Sequence, residues 1–280
     1  MEQVVFFGPD NGLLGILSPG KPGADLCCLL ANAGVIHHIG PHRINVKLAR
    51  LLEADGIASI RFDLSGLGDS RAAASSVAYT EQSVLDLRAA MDYAERQHGF
   101  KRFLIFGICS GAVNAHRAAL EDPRVAGLFL LDGYWYTTRW TRPVLLWSRL
   151  RAHSFKSLLG KVLGKLSRGK KREASAGGFK KVEMFPTDNS GNLPKAQFAA
   201  EMNAMTARGV DVFFLYSGSV DDIVSYENQL RDAFRGEDFI RRVRIERHAD
   251  VDHTAMTQHS QRTLERLVRE WAARIARRSG

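Results

Sequence analysis

Residues 103–112 read FLIFGICSGA, an apolar run that enters a glycine-flanked turn and continues into helical sequence. A short apolar run predicts a buried strand, and residues 110–120 have the spacing of a helix. Cys109 stands at the turn, two residues after Gly107 and two before Gly111. Small flanking residues let the backbones approach closely at a strained strand-to-helix turn. The stretch therefore predicts a cysteine presented above a helix N-terminus, whose dipole favours a thiolate.

Apolar runs alternate with helical patterns along most of the chain. Strands separated by helices indicate a mostly parallel sheet covered by helices on both faces, an α/β architecture. The first two strands instead flank the turn sequence PDNG, which predicts a β-hairpin. Besides the strand at residues 103–106, the predicted strands are Val4–Phe7, Leu13–Leu17, Asp25–Asn32, Ala58–Asp63, Val125–Leu131, Val210–Tyr216 and Val243–Arg247. Besides the helix at residues 110–120, the predicted helices are Arg43–Ala54, Thr80–His98 and Gln258–Ala276.

Residues 133–193 interrupt this alternation. The part from Tyr134 to Lys181 has thirteen Lys and Arg residues and one acid, Glu173, so it carries +12 while the rest of the chain carries −3. We interpret residues 133–193 as a lid inserted into a core made of residues 1–132 and 194–280. The composition of residues 170–181 cannot build a core, so a surface loop without a role is the alternative there.

Composition places the chain among single-domain globular proteins. Its 280 residues suffice for one large domain, and no apolar run reaches the length of a transmembrane helix. The N-terminus lacks the features of a secretory signal. Three cysteines without paired spacing argue against a disulfide framework. We therefore expect a cytoplasmic protein.

The turn at Cys109 has the form of the nucleophile elbow G-x-S-x-G, with cysteine in the central position. A nucleophile of this kind needs a base and a group that orients the base. His253 lies in the loop before the last helix, where the base is expected. Asp221 lies in the loop after the strand VDVFFLY, and Asp222 is the alternative acid. Ser110 is the rival nucleophile, but the two glycines are spaced symmetrically about Cys109.

An oxyanion hole should use the amide after the nucleophile and one amide from the loop after an earlier strand. We assign these amides to Ser110 and Val35. The same loop contains His37, His38 and His42, which suggests a metal. A catalytic metal site usually adds a carboxylate and a defined spacing, and the local sequence shows neither. We therefore predict no metal and no cofactor.

Five segments together resemble the α/β-hydrolase superfamily over nearly the whole chain: NAG, RFDLSGLGDS, GICSGA, YSGSVDD and DHT, in the family's order. More narrowly, NAGVIHHIGPHR, RFDLSGLGDS and GICSGA are similar to bacterial exosortase-system-associated hydrolases. Dienelactone hydrolases also use cysteine with histidine and aspartate on this fold. The resemblance implies an α/β-hydrolase fold with an inserted lid and a Cys109–His253–Asp221 triad.

This chemistry predicts a hydrolase of ester or thioester bonds that works through an acyl-cysteine. The alternatives are an acyltransferase with a non-water acceptor and an inactive binding protein that kept the fold. We expect Tyr134, Trp135, Tyr136 and Arg139 to bind substrate, with lid cations receiving phosphate of coenzyme A or a carrier-protein arm. A lid rich in Trp and Arg also predicts peripheral contact with an anionic membrane. Nothing indicates a nucleic-acid-binding fold.

Overall fold

A computed structural model describes residues 1–32, 34–152 and 192–279. Its centre is an eight-stranded sheet. The strands are β1 (Gln3–Phe7), β2 (Leu13–Ser18), β3 (Leu26–Leu30), β4 (Ala58–Phe62), β5 (Arg102–Ile108), β6 (Val125–Leu131), β7 (Asp211–Ser217) and β8 (Arg244–His248).

The sheet is antiparallel at one side and parallel elsewhere. Its strand order is β1-β2-β4-β3-β5-β6-β7-β8. β1 and β2 form the predicted hairpin, and β2 also pairs antiparallel with β4. All remaining neighbours pair in parallel. The carboxyl ends of β3 to β8 therefore meet at one edge, where loops can assemble a site.

Helices cover both faces of the sheet. The described helices are α1 (Ile44–Ala54), α2 (Tyr79–His98), α3 (Ser110–Glu121), α4 (Thr141–Ala152), α5 (Lys195–Ala207), α6 (Gln229–Ala233) and α7 (Gln258–Ala276). Successive residues of β3 alternate between two apolar clusters, with Cys27 in one and Cys28 in the other. α1 and α7 supply the cluster on Cys28's face, whereas α2, α3 and α5 supply the opposite one. This explains why the parallel strands read as continuous apolar runs.

The structure confirms the predicted α/β-hydrolase fold. Each predicted strand and helix appears, with bounds that differ by at most two residues. α5 and α6 were not predicted. The predicted lid falls largely on residues 153–191, which lie outside the described residues, so its role stays a prediction. No helix of the described residues is both long and apolar enough to cross a membrane.

Candidate active site

Cys109 occupies a strained turn between β5 and α3. Its backbone has φ 55° and ψ −120°, in a region that side-chain-bearing residues rarely adopt. The two flanking glycines are required by close approach: a Cβ on Gly107 would meet Gly111 O at 2.4 Å, and one on Gly111 would meet Asn32 O at 2.3 Å. Cys109 itself is partly exposed. The sequence thus folds locally into the predicted elbow.

His253 lies between β8 and α7 and meets Cys109. Its Nδ1 lies 2.8 Å from Asp132 Oδ2, and its side chain is only 10% exposed. Burial disfavours the imidazolium, but hydrogen bonds with Asp132 and Cys109 outweigh it and raise the pKa of His253 to about 9. The structure therefore brings His253 together with Cys109, as predicted, and favours a protonated ring.

Asp132 is the carboxylate that orients His253. It directly follows β6 and has φ 50°, a left-handed conformation that Asp tolerates better than most residues. Ser217 donates twice to it, from its N–H to Oδ1 at 2.8 Å and from its hydroxyl to Oδ2 at 2.6 Å. Asp132 is 1% exposed. These bonds fix the position and orientation of the carboxylate beside the imidazole.

The prediction of Asp221 as the partner of His253 is wrong. Asp221 forms an ion pair with Arg247 at 2.6 Å, and its side chain is 43% exposed. The segment YSGS that precedes Asp221 instead supports the histidine loop through two hydrogen bonds. Ser219 Oγ accepts the His253 N–H at 3.0 Å, and the Gly218 N–H donates to Val251 O at 2.8 Å. This segment therefore positions the histidine loop without supplying the acid.

The sequence contained a signal for Asp132 that motif order obscured. Asp132 directly follows the buried run VAGLFLL. It therefore lies at the carboxyl end of a strand, where the acid of such a triad is expected. β6 and β7 are parallel neighbours, so a carboxylate after either strand reaches the same edge. The family order of nucleophile, acid and histidine fits both positions, and only coordinates distinguish them.

The predicted oxyanion loop also lies beside the elbow. The N–H of Gly34 donates to Ser110 Oγ at 2.8 Å, and Tyr79 donates its hydroxyl to Gly34 O at 3.2 Å. Gly34 has φ 58°, which favours glycine. Gly34 is therefore the residue of this loop whose amide the structure brings to Ser110. The Val35 side chain is exposed, and the part assigned to its amide stays a prediction.

Two of the loop histidines face carboxylates that the local sequence does not show. His37 and His38 lie against Asp63 and Asp69, which follow β4 in the turn DLSGLGD. Burial opposes the charge on Asp63, but hydrogen bonds from His38 and from the Asp69 N–H hold its pKa below its usual range. The fold therefore places two carboxylates beside these histidines, which is the ligand type that the local sequence lacks.

The aromatic residues assigned to substrate binding lie in the core. Tyr134, Trp135 and Tyr136 are each less than 10% exposed. The Tyr134 hydroxyl lies 2.9 Å from His116 Nδ1, and Tyr136 donates to Leu193 O at 2.9 Å. Tyr134 and Tyr136 pack against Phe198 in the core, so these aromatic residues do not line the substrate pocket that we expected. Arg139 stacks over Trp140 at 5.1 Å and remains a candidate for substrate contact.

Comparisons with known proteins agree with the α/β-hydrolase fold. A family described as "Serine aminopeptidase, S33" matches residues 28–251, four-fifths of the chain. The chain belongs to this α/β-hydrolase family. It differs from the serine of the family's description in placing a cysteine, Cys109, at the elbow. It is therefore an enzyme of the α/β-hydrolase type with a cysteine at the central position of the elbow.

Solved structures of low sequence identity share the fold. An esterase of Pyrococcus furiosus, Pf2001, is 15% identical with a TM-score of 0.62, over 99% of this chain and 91% of that one. A putative α/β-hydrolase of unknown function from Agrobacterium tumefaciens is 14% identical with a TM-score of 0.56, over 98% and 95%. Mouse alpha/beta hydrolase domain-containing protein 10 is 12% identical with a TM-score of 0.54, over 98% and 99%. No curated protein matches the sequence.

Proposed function

We propose that the protein cleaves ester or thioester bonds through an acyl-cysteine on Cys109. The observation that carries this proposal is the pairing of a cysteine at a strained elbow with an imidazole that is held by a buried carboxylate. His253 would act as the base, and Asp132 would fix its tautomer and orientation.

The first half-reaction transfers an acyl group to sulfur. His253 takes the proton of the Cys109 thiol, the resulting thiolate attacks the carbonyl carbon, and the negative charge develops on the carbonyl oxygen. The amide of Ser110, the residue after the elbow, would stabilise that oxygen, and the amide of Val35 in the neighbouring loop is the second donor that we propose. The C–S or C–O bond of the substrate then breaks, and the proton on His253 passes to the departing thiolate or alkoxide.

The second half-reaction regenerates the thiolate–imidazolium pair of Cys109 and His253. Water gives a proton to His253 and attacks the acyl-cysteine carbonyl, and the Cys109 sulfur departs. A thioester donor suits this route, because an acyl-cysteine is itself a thioester and exchange is nearly isoenergetic. Coenzyme A or carrier-protein thioesters are therefore the substrate class that we propose first. An acceptor other than water would make the same intermediate an acyltransferase.

Intact-protein mass spectrometry tests the proposal directly. Wild-type protein incubated with a panel of acyl-CoA thioesters and simple esters should gain one acyl group on Cys109, with release of free thiol from the thioesters or of alcohol from the esters. Cys109→Ala should show neither result. Cys27 and Cys28 serve as internal controls because both are fully buried. Acylation that persists in Cys109→Ala, or an inert wild-type protein across the panel, would favour the non-enzyme alternative.

We also propose that α4 contacts an anionic membrane surface in the cytoplasm. α4 and the residue before it expose Trp140, Leu146, Trp147 and Leu150. Basic residues accompany them, and the sequence from Tyr134 to Lys181 carries +12. Aromatic and cationic side chains together suit the headgroup boundary. The narrower resemblance to exosortase-system-associated hydrolases fits such a location.

A further inference from the structure

Four side chains from two segments converge outside the triad. His37 and His38 come from the loop after β3, and Asp63 and Asp69 come from the turn after β4. The ligand atoms that they offer all lie within 4.8 Å of one another. Asp63 and His38 are buried, whereas His37 and Asp69 are accessible at 37% and 58% of their side chains.

The spacing of these atoms matches a metal-binding set. His38 Nδ1 lies 2.8 Å from Asp63 Oδ2. His37 Nε2 lies 3.0 Å from Asp69 Oδ2 and 3.4 Å from Asp63 Oδ2. Ligands of a tetrahedral zinc ion with bonds of about 2.0–2.1 Å stand about 3.3 Å apart. The His38–Asp63 pair would lengthen by about 0.5 Å and the two exposed side chains would shift slightly to complete such a geometry.

Hydrogen bonding alone uses these groups poorly. A single proton on His37 Nε2 can be donated to only one of the two carboxylates that face it. The other carboxylate is then left beside a negatively charged neighbour. Both imidazoles also turn a nitrogen toward one oxygen, Asp63 Oδ2. A divalent cation satisfies both carboxylates and both imidazoles at once.

The surroundings hold the set in place in the manner of outer partners at metal sites. Asp63 Oδ1 accepts the His38 N–H at 2.5 Å and lies 3.4 Å from Asn32 Nδ2, whereas Oδ2 accepts the Asp69 N–H at 3.1 Å and faces the cluster. Gly68 has φ 49°, and a Cβ there would meet Asp63 Oδ2 at 2.3 Å and His37 Cδ2 at 2.7 Å. Only glycine allows the turn to pass so close to the carboxylate.

We propose that His37, His38, Asp63 and Asp69 bind one divalent transition-metal ion, with zinc as the best match. Two imidazoles and two carboxylates suit zinc and its neighbours better than magnesium or calcium, which take oxygen ligands. The ion would tie the loop that carries Gly34 to the turn after β4. Its action would be to position the loop, since no cluster atom belongs to the triad.

Zinc titration of the full-length protein, stripped of metal by a chelator, tests the site. Calorimetry should show one ion bound per chain. His37→Ala and Asp69→Asn change exposed ligands and should each weaken binding by at least about tenfold. The titration is repeated in Cys109→Ala, so that the Cys109–His253 pair cannot account for the ion. The readout needs no substrate and is independent of the proposed function.

The matched controls are His259→Ala and Asp250→Asn, which remove another exposed histidine–aspartate pair. Both should bind zinc as the wild type does. Equal affinity in His37→Ala and wild type, loss of binding in the control variants, or no binding by the wild type would each overturn the proposal. Cobalt substitution gives a second check, because a sulfur-to-cobalt absorption band would assign the ion to Cys109 and reject the cluster.

Discussion

At the scale of single residues, Asp132 and Asp221 make a matched pair of carboxylates at the same sheet edge. Asp132→Asn keeps the shape and removes the charge that holds the His253 tautomer, so kcat should fall by about 10²- to 10⁴-fold. Asn also tolerates the left-handed backbone at this position. Steady-state thioester hydrolysis measures the loss, and circular dichroism confirms folding.

Asp221→Asn is the control for this experiment. It removes an exposed partner of Arg247, and surface ion pairs contribute about 0–1 kcal/mol to stability. Its kcat and KM should therefore stay close to those of the wild type. A loss in Asp221→Asn as large as that in Asp132→Asn would contradict the assignment of the acid.

A variant of Ser110 distinguishes the two candidate nucleophiles of the elbow, Cys109 and Ser110. Its hydroxyl accepts the Gly34 N–H, so Ser110→Ala removes one neutral hydrogen bond worth about 1 kcal/mol. We expect activity to fall about fivefold, with acylation still found on Cys109. A Ser110 nucleophile predicts the reverse pattern: complete loss in Ser110→Ala and retained turnover in Cys109→Ala. Peptide mapping of the acyl-enzyme decides between them.

His253 also predicts a pH dependence of stability. Its pKa rises from 6.5 to about 9 on folding, because hydrogen bonds with Asp132 and Cys109 exceed the cost of burial. The contribution is therefore complete below pH 6.5 and is lost as pH rises through about 9. It amounts to roughly 3 kcal/mol at most. Urea unfolding between pH 6 and 8.5 should show a falling free energy of unfolding.

His253→Gln supplies the control for that pH series, and its slope over this range should be much smaller. The series stops at pH 8.5 so that ionisation of the buried thiols of Cys27 and Cys28 does not contribute to the slope. Burial raises the pKa of Cys28 to about 12 and that of Cys27 well above its usual range. Unfolded thiols ionise near pH 8.5, so these cysteines lower stability mainly above it. Parallel slopes in wild type and His253→Gln would contradict the His253 contribution.

At the scale of elements, the elbow depends on the packing of α3 against β3. A Cβ on Gly111 would meet the Asn32 carbonyl at 2.3 Å, and backbone atoms cannot move aside cheaply. Gly111→Ala should therefore destabilise the protein by about 3 kcal/mol or more. Gly209→Ala is the control, because it adds a methyl group at φ 88° with no atom within 4 Å. It should cost only about 1–2 kcal/mol.

Periodicity was enough to predict most of the sheet, because the central parallel strands are buried on both faces and read as apolar runs. The elbow was equally predictable, since glycines at fixed spacing have a steric cause. Asp132 was missed because its assignment depends on which of two adjacent strand ends reaches His253. The pairing of His37 with Asp69 was missed because residues distant in sequence meet only through the β3–β4 contact.

At the scale of the whole molecule, exposed apolar side chains gather on α4 while positive charge gathers in the same stretch of sequence. Leu146, Trp147 and Leu150 are all exposed. The chain as a whole carries +9, yet residues outside Tyr134–Lys181 sum to −3. Attraction to an anionic surface should therefore depend on this stretch of sequence and should weaken as salt screens it.

Vesicle co-sedimentation tests that asymmetry. The protein should bind vesicles that contain anionic lipid at low salt and release them at high salt. Trp147→Ser combined with Leu150→Ser should weaken binding by about tenfold or more, because two apolar side chains no longer enter the interface. Phe6→Ser is the control, since Phe6 is equally exposed but lies on the edge strand β1. Equal binding by both variants would show that apolar contact on α4 plays no part, because charge alone would then account for the association.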